Sequence, residues 1–226
     1  MKYALITGAN KGIGLEFARQ LKEKGYYIIG CCRKPSIADH LNQLANEVIQ
    51  LDATSDADIE ALVKTLNKRP IDLLINNAGI SGEQGVKVGN VNRVNFANVL
   101  NVNCISTLKI CDALLPNIQK SIDKNILVIS SRMSSISDNE QGSSYAYRSS
   151  KAALNCAMRS FAIDVQPTGV HVMLIHPGWV KTDMGGQEAR IDAQTSVKGM
   201  REQAEKYLNK SHAKVLHRFD GDTIAW

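Results

Sequence analysis

The 226-residue sequence has few of the residues that indicate a metal centre, a disulfide-bonded fold or a nucleic-acid-binding surface. Its cysteines form no Cys-x-x-Cys pair and have no histidines at zinc-ligand spacing, so we expect no metal site and a reducing compartment. Aromatic residues make up only 5% of the chain and no basic run is interleaved with them, which argues against nucleic-acid binding. The five cysteines, read as buried thiols, are Cys31, Cys32, Cys104, Cys111 and Cys156.

Long hydrophobic runs are also missing. No apolar stretch of the sequence approaches the length needed to span a bilayer, and residues 1–6 lead into a strand pattern without the apolar region of a signal peptide. We therefore expect a soluble cytoplasmic protein that binds no membrane. The 27 basic and 22 acidic residues give a formal charge of +5, and their scatter predicts a solvated surface that also attracts an anionic cofactor.

Strand-like apolar runs do occur, and they alternate with amphipathic stretches along the chain. This alternation predicts an α/β fold with a Rossmann-type, doubly wound parallel sheet of about seven strands and helices on both faces. The strands are expected at residues 3–6, 26–32, 48–51, 71–75, 126–129, 170–175 and 213–216. Two long helices are expected at residues 91–118, closing near Pro116, and at 144–165. No repeat or linker is visible, so residues 1–226 are predicted to form a single domain.

A glycine-rich turn joins the first predicted strand to the first predicted helix. Gly8, Gly12 and Gly14 follow the pattern Thr-Gly-x-x-x-Gly-x-Gly. Glycine lets the backbone approach a pyrophosphate closely, and the next helix offers free N–H groups and the positive end of its dipole. The same residues are also compatible with a tight turn that binds nothing. The turn alone is therefore a moderate indication of nucleotide binding.

Tyr147 and Lys151 lie four residues apart in the second long predicted helix, so they share one face of it. A cation about 4 Å from a phenol, at an effective dielectric of about 20, favours the phenolate by roughly 4 kcal/mol, or about three pKa units. The pair therefore predicts a tyrosine that exchanges protons near neutral pH. The alternative is an ordinary interfacial tyrosine, because Tyr-x-x-x-Lys is common by chance.

Two more motifs complete an ordered set of four. Asn76-Asn77-Ala78-Gly79 follows the fourth predicted strand, and Pro177-Gly178 follows the sixth. With the glycine turn and Tyr-x-x-x-Lys, these motifs resemble those of the classical short-chain dehydrogenase/reductase family over most of the chain. Residues 145–148, 176–186 and 219–226 are similar to a narrower group, the C-factor and Sniffer-like carbonyl reductases.

The resemblance implies a catalytic set for carbonyl reduction. Tyr147 would be the general acid, and Lys151 would lower its pKa and bind the nicotinamide ribose. The family's serine falls at the end of the fifth predicted strand, where Ser131 is our choice to hydrogen-bond the substrate oxygen and Ser134 is the alternative.

The fourth catalytic member implied by the resemblance is an asparagine in the first long helix, which holds a water for a proton relay to the lysine. Asn103 matches this place best. Asn98 and Asn101 remain alternatives, and a helical asparagine that simply faces solvent is a further one.

The cofactor preference rests on the end of the second predicted strand. An acidic residue is absent there and Arg33 follows, which favours the 2′-phosphate of NADP(H) over NAD, with Lys11 as a second cation. The motifs and the resemblance together imply cofactor contacts from Gly8, Asn10, Lys11, Gly12, Ile13, Gly14, Arg33, Asp52, Ala53, Asn77, Ala78, Gly79, Tyr147, Lys151, Pro177, Gly178, Val180 and Thr182.

These observations favour an NADPH-dependent oxidoreductase that reduces a small-molecule carbonyl, an aldehyde, ketone or quinone, to an alcohol. Two alternatives stay open: an NAD-linked alcohol dehydrogenase, and a C-factor-like signalling protein that binds the cofactor with little turnover. The resemblance also implies a homodimer or homotetramer that pairs the two long helices across subunits.

Overall fold

The computed structural model describes all 226 residues, and one eight-stranded sheet forms its centre. The strand order is 3-2-1-4-5-6-7-8, with β1 to β7 parallel and β8 antiparallel to β7. The strands are β1 Lys2–Thr7, β2 Tyr26–Cys32, β3 Glu47–Gln50, β4 Leu73–Asn76, β5 Asn125–Ile129, β6 His171–His176, β7 His212–Arg218 and β8 Thr223–Ile224. The Rossmann-type α/β prediction is confirmed. The count exceeds seven because a two-residue strand pairs with the outer edge.

Seven α-helices connect the strands. They are α1 Gly12–Glu23, α2 Asp39–Leu44, α3 Asp56–Leu66, α4 Arg93–Leu100, α5 Ser106–Gln119, α6 Tyr145–Val165 and α7 Ala193–Tyr207. The expected helix over 91–118 is interrupted by a π-helical turn, Asn101–Ile105, between α4 and α5. Pro116 lies inside α5 instead of closing it, because a proline removes one helical hydrogen bond without necessarily ending the helix.

Two apolar layers cover the sheet. On one face, strand residues such as Leu5 and Leu74 pack against buried residues of α3, α5 and α6. On the other face, Ile6 and Ile75 pack against buried residues of α1 and α7. Burial on both faces explains the nearly continuous apolar runs of the central strands. The carboxyl ends of the parallel strands are therefore left as one open rim of the sheet.

One helical stretch, Arg93–Gln119, is long and apolar enough by composition to cross a membrane, which the sequence had not led us to expect. The α5 part of this stretch contributes Ile110, Leu114 and Ile118 to the core of the fold. A mostly buried core helix can have the length and composition of a membrane span, so this feature is weak evidence for a membrane. The cytoplasmic location stays a prediction.

Candidate active site

The glycine turn lies at the carboxyl end of β1, beside the point where the strand order reverses between β1 and β4. Gly8 and Gly12 have φ angles of +63° and +53°, a region that other residues rarely adopt. A Cβ atom on Gly14 would lie 2.3 Å from the Gly8 carbonyl oxygen. The turn can therefore be this tight only with glycine at all three positions.

Asn77 braces this turn from the neighbouring strand β4. Its Nδ2 donates hydrogen bonds to the carbonyl oxygens of Thr7 and Gly8, each at 3.0 Å. The backbone N–H groups of Asn77 and Ala78 donate to the Thr7 hydroxyl at 3.0 and 3.1 Å. The side chain of Asn77, predicted to contact the cofactor, thus holds the turn itself. Nothing in the sequence had indicated that Thr7 is the partner of Asn77.

The first turn of α1 follows the glycine turn, and no side chain caps its backbone N–H donors. Lys11 occupies the N-cap position, and its side chain makes no capping hydrogen bond. No acidic residue lies in the first turn. Free N–H groups at the positive end of a helix dipole suit an anion such as a pyrophosphate. Together with the glycine turn, these residues fit a dinucleotide. Asn10 and Ile13 belong to the same turn, on either side of Lys11 and Gly12.

The two cations predicted to bind a 2′-phosphate differ in their surroundings. Arg33 is exposed just after β2 and takes part in no ion pair or side-chain hydrogen bond. The Nζ atom of Lys11 instead lies 2.6 Å from Oδ2 of Asp183, in the loop after β6. Asp52, next to Ala53, accepts hydrogen bonds from the backbone and hydroxyl of Thr54, and these lower the pKa of its carboxyl.

The catalytic residues predicted on α6 come to the same rim. Lys151 is buried, and its Nζ donates a 2.8 Å hydrogen bond to the carbonyl oxygen of Ile129, at the end of β5. Burial lowers the pKa of Lys151 to about 8. A Cβ atom on Gly79 would lie 3.8 Å from this Nζ, so the Asn-Asn-Ala-Gly motif after β4 adjoins the lysine.

Tyr147 does not have the lowered pKa that the sequence predicts. Burial raises the pKa of its hydroxyl, and the effect of the Ser131 hydroxyl only partly opposes that rise. Lys151 is not the cause of any lowering, since its ammonium is directed to the backbone of β5. In this structure Tyr147 is therefore a protonated phenol at neutral pH, which is the form of a general acid.

The two candidate serines differ in their hydrogen bonds. Ser131 follows β5, and its Oγ accepts a hydrogen bond from the backbone N–H of Met133 at 3.1 Å. Its hydroxyl is also the one that lowers the pKa of Tyr147, against the larger effect of burial. The Ser134 hydroxyl donates to the Ser131 carbonyl oxygen at 2.6 Å and accepts from Nδ2 of Asn155 at 2.7 Å. Asn155, which the sequence analysis did not single out, also accepts from the Ser130 hydroxyl. Ser134 is thus held in a structural network, and Ser131 faces the tyrosine.

Asn103 is fully buried in the π-helical turn, whereas Asn98 is exposed and Asn101 is only partly buried. Its Oδ1 accepts from the Ile80 N–H at 2.8 Å, and its Nδ2 donates to the Ile80 carbonyl oxygen at 2.8 Å and to the Ser150 hydroxyl at 3.0 Å. The side-chain amide is therefore fully used within the protein. Asn103 joins the segment after Gly79 to α6, one residue before Lys151.

The Pro-Gly segment after β6 closes the other side of the site. Val180 is buried, and Thr182 Oγ1 accepts a hydrogen bond from the N–H of Gly185 at 3.1 Å. A Cβ atom on Gly12 would lie 3.1 Å from Cγ2 of Thr182, so this loop packs directly against the glycine turn. Gly178 has a φ of +86° at the start of the loop.

All four sequence motifs thus meet at the rim formed by the carboxyl ends of β1, β4, β5 and β6. The rim combines a glycine turn suited to an anion, a protonated tyrosine hydroxyl beside a serine, and a buried lysine. No group of three His, Cys, Asp or Glu side chains is placed to hold a metal ion. This combination of fold and site defines a nucleotide-dependent oxidoreductase.

Comparison with known proteins gives the family. Residues 2–192 match the family model described as short chain dehydrogenase, and the chain belongs to the short-chain dehydrogenase family. The C-signal protein of Myxococcus xanthus is 40% identical over 157 residues, which span 70% of this chain and 93% of that protein.

Two solved structures share the whole fold. The carbonyl reductase Sniffer of D. melanogaster superposes with a TM-score of 0.92 at 30% identity and covers 100% of both chains. The NADPH-bound carbonyl reductase from chicken fatty liver has a TM-score of 0.91 at 31% identity and covers 100% of this chain and 99% of that one. The similarity to C-signal and Sniffer confirms the narrower resemblance seen in the sequence.

Proposed function

We propose that this protein reduces an aldehyde, ketone or quinone to an alcohol with NADPH. The observation that carries the proposal is the Ser131 and Tyr147 hydroxyl pair beside buried Lys151, on the same rim as the glycine turn. The structural similarity to two carbonyl reductases, one of them bound to NADPH, supports a carbonyl as the substrate.

The cofactor, when bound, supplies the hydride. Its pyrophosphate would be held by the glycine turn and the uncapped N–H groups of α1, with Arg33 placed to pair with a 2′-phosphate. Ala78 adjoins Gly8, Gly79 adjoins Lys151, and Thr182 packs against Gly12, so these residues would lie near the bound cofactor. The absence of an acidic residue after β2 is why we propose NADP(H) over NAD.

The chain's own residues would handle the proton. Because burial raises its pKa, Tyr147 keeps its proton at neutral pH and can donate it to the substrate oxygen, while Ser131 hydrogen-bonds that oxygen. Lys151, with a pKa of about 8, can return a proton to the tyrosinate. Asn103 would serve this relay by fixing Ser150 and the segment after Gly79, beside the lysine.

The experiment is an assay of NADPH consumption with a panel of carbonyl compounds. Removal of the general acid in Tyr147→Phe should lower turnover by about 10²- to 10⁴-fold. Tyr145→Phe is the matched control, because residue 145 lies on another face of α6. Turnover in Tyr147→Phe equal to that of the wild type would refute the assigned acid, and a clear preference for NADH would favour the NAD-linked dehydrogenase instead.

The similarity to C-signal supports a second candidate, a signalling protein that binds the cofactor with little turnover. This candidate predicts NADPH binding without turnover on any carbonyl and a biological effect that survives Tyr147→Phe. The intact set of Ser131, Tyr147 and Lys151 favours the enzyme. The homodimer or homotetramer stays a prediction, with Ile105 and Ile163 exposed on the helical segments that would pair.

A further inference from the structure

An ion pair joins the two segments that flank the proposed nucleotide cleft. Nζ of Lys11, in the glycine turn, lies 2.6 Å from Oδ2 of Asp183, in the loop after β6. Their side chains are 67% and 77% exposed, so either one can change partners without disturbing the core. The pair also lowers the pKa of the Asp183 carboxyl. Lys11 is thus neutralised by a residue of this same chain.

The loop that carries Asp183 has its own hydrogen bonds and does not depend on this pair for its position. Trp179 Nε1 donates to the Gly185 carbonyl oxygen at 2.7 Å, and the Lys181 N–H donates to the Ile191 carbonyl oxygen at 2.8 Å. Thr182 accepts from the Gly185 N–H and packs against Gly12. The main consequence of removing the Asp183 charge is therefore that Lys11 is released.

Lys11 and Arg33 are the two cations that the sequence predicts as partners of a 2′-phosphate. Arg33 forms no ion pair, whereas Lys11 is held by a carboxylate. The ammonium group of lysine acts as a point charge that can bind either a carboxylate or a phosphate, and the flexible side chain lets the ammonium group change partners. A phosphate that recruits Lys11 therefore competes with Asp183 for its charge.

We propose that Asp183 limits the preference for NADP(H) over NAD(H) by competing with the 2′-phosphate for Lys11. This inference rests on the proposed function for the identity of the nucleotide. NAD(H) has no 2′-phosphate and leaves the ion pair intact, so the competition acts on only one of the two cofactors.

The test is equilibrium binding, with the dissociation constants of NADPH and NADH measured by nucleotide fluorescence or calorimetry at low ionic strength, where screening is weakest. For Asp183→Asn we expect the ratio of NADPH affinity to NADH affinity to rise by about 1.5- to 5-fold, the range typical of exposed ion pairs. Glu188→Gln, an equal charge change at an exposed residue of the same loop, should leave the ratio unchanged. On a Lys11→Gln background, Asp183→Asn should also leave it unchanged.

Three results would overturn the inference: an unchanged or lower ratio in Asp183→Asn, an equal rise in Glu188→Gln, or a rise that persists without Lys11. The second would show a general effect of net charge. Binding does not require turnover, so these results leave the proposed reduction standing. Failure of the wild type to bind either nucleotide would overturn both proposals together.

Discussion

Lys151 carries a cost in stability that can be measured without any substrate. It is 6% exposed, and burial lowers its pKa from 10.5 to about 8. Below pH 8 the folded protein therefore holds an ammonium group in a site that disfavours the charge. Lys151→Met replaces it with an uncharged side chain of similar length, so we expect this variant to lose activity and to be at least as stable as the wild type at pH 7.

The magnitude follows from the shift in pKa. A lowering of about 2.5 pKa units destabilises the folded wild type by about 3 kcal/mol at neutral pH. Methionine leaves the Ile129 carbonyl oxygen without its donor, which costs about 1–3 kcal/mol, so the net gain at pH 7 is about 0–2 kcal/mol. The unfolded chain binds more protons than the folded one between pH 8 and 10.5, so the stability contribution of the wild-type lysine rises with pH across this window.

The assay is urea unfolding of the cofactor-free wild type and Lys151→Met between pH 7 and 10. We expect the free energy of unfolding of the variant, relative to wild type, to fall by about 2.5 kcal/mol over this range. Lys64→Met, a change at an exposed lysine of α3, is the control and should show a flat difference. A difference for Lys151→Met that is also flat would refute the buried, destabilised ammonium and the proton relay built on it.

Two further predictions concern the site. Ser131→Ala should lower turnover far more than Ser134→Ala, because only the Ser131 hydroxyl faces Tyr147. Circular dichroism checks that both variants are equally folded. A larger loss of turnover in Ser134→Ala would reverse the assignment of the two serines. Arg33→Gln should weaken NADPH binding by about tenfold or more and leave NADH binding nearly unaffected, because charge-assisted hydrogen bonds to phosphate are strong. A binding titration in which both nucleotides lose affinity equally would exclude a role for Arg33 at the 2′-phosphate.

The fold could be predicted from the sequence because each strand and helix produces its own pattern of apolar residues over a short stretch of chain. Buried strands read as apolar runs, and the bounds of β2 and α6 follow the expected ones to within a residue. The π-helical turn at Asn101–Ile105 could not be predicted, since residues 91–118 carry one helical pattern throughout. The edge strand β8 was missed because two residues are too few to show a period.

The structure brings the predicted site residues to one rim of the sheet, but their pKa values differ from the prediction. Tyr147 and Lys151 do share a face of α6. The expected lowering of the Tyr147 pKa by about three units, however, assumed an isolated pair of groups at an intermediate dielectric. In the structure both groups are desolvated, which raises the pKa of the phenol and lowers that of the amine. Burial depends on what packs over the helix, and spacing along the sequence does not contain that information.

The polar groups of the rim are of two kinds: those that form hydrogen bonds within the protein and those that do not. This difference indicates which residues support the site and which can bind a ligand. The side-chain amides of Asn77, Asn103 and Asn155 form hydrogen bonds within the protein. They hold in place the glycine turn, the segment beside Lys151 and the serines after β5, in that order. The first N–H groups of α1 have no side-chain cap, and the exposed Arg33 guanidinium takes part in no ion pair or side-chain hydrogen bond. An uncommitted donor can bind a ligand without first breaking a bond. Substitutions of the three asparagines should therefore damage stability and geometry together, whereas Arg33→Gln should change affinity alone.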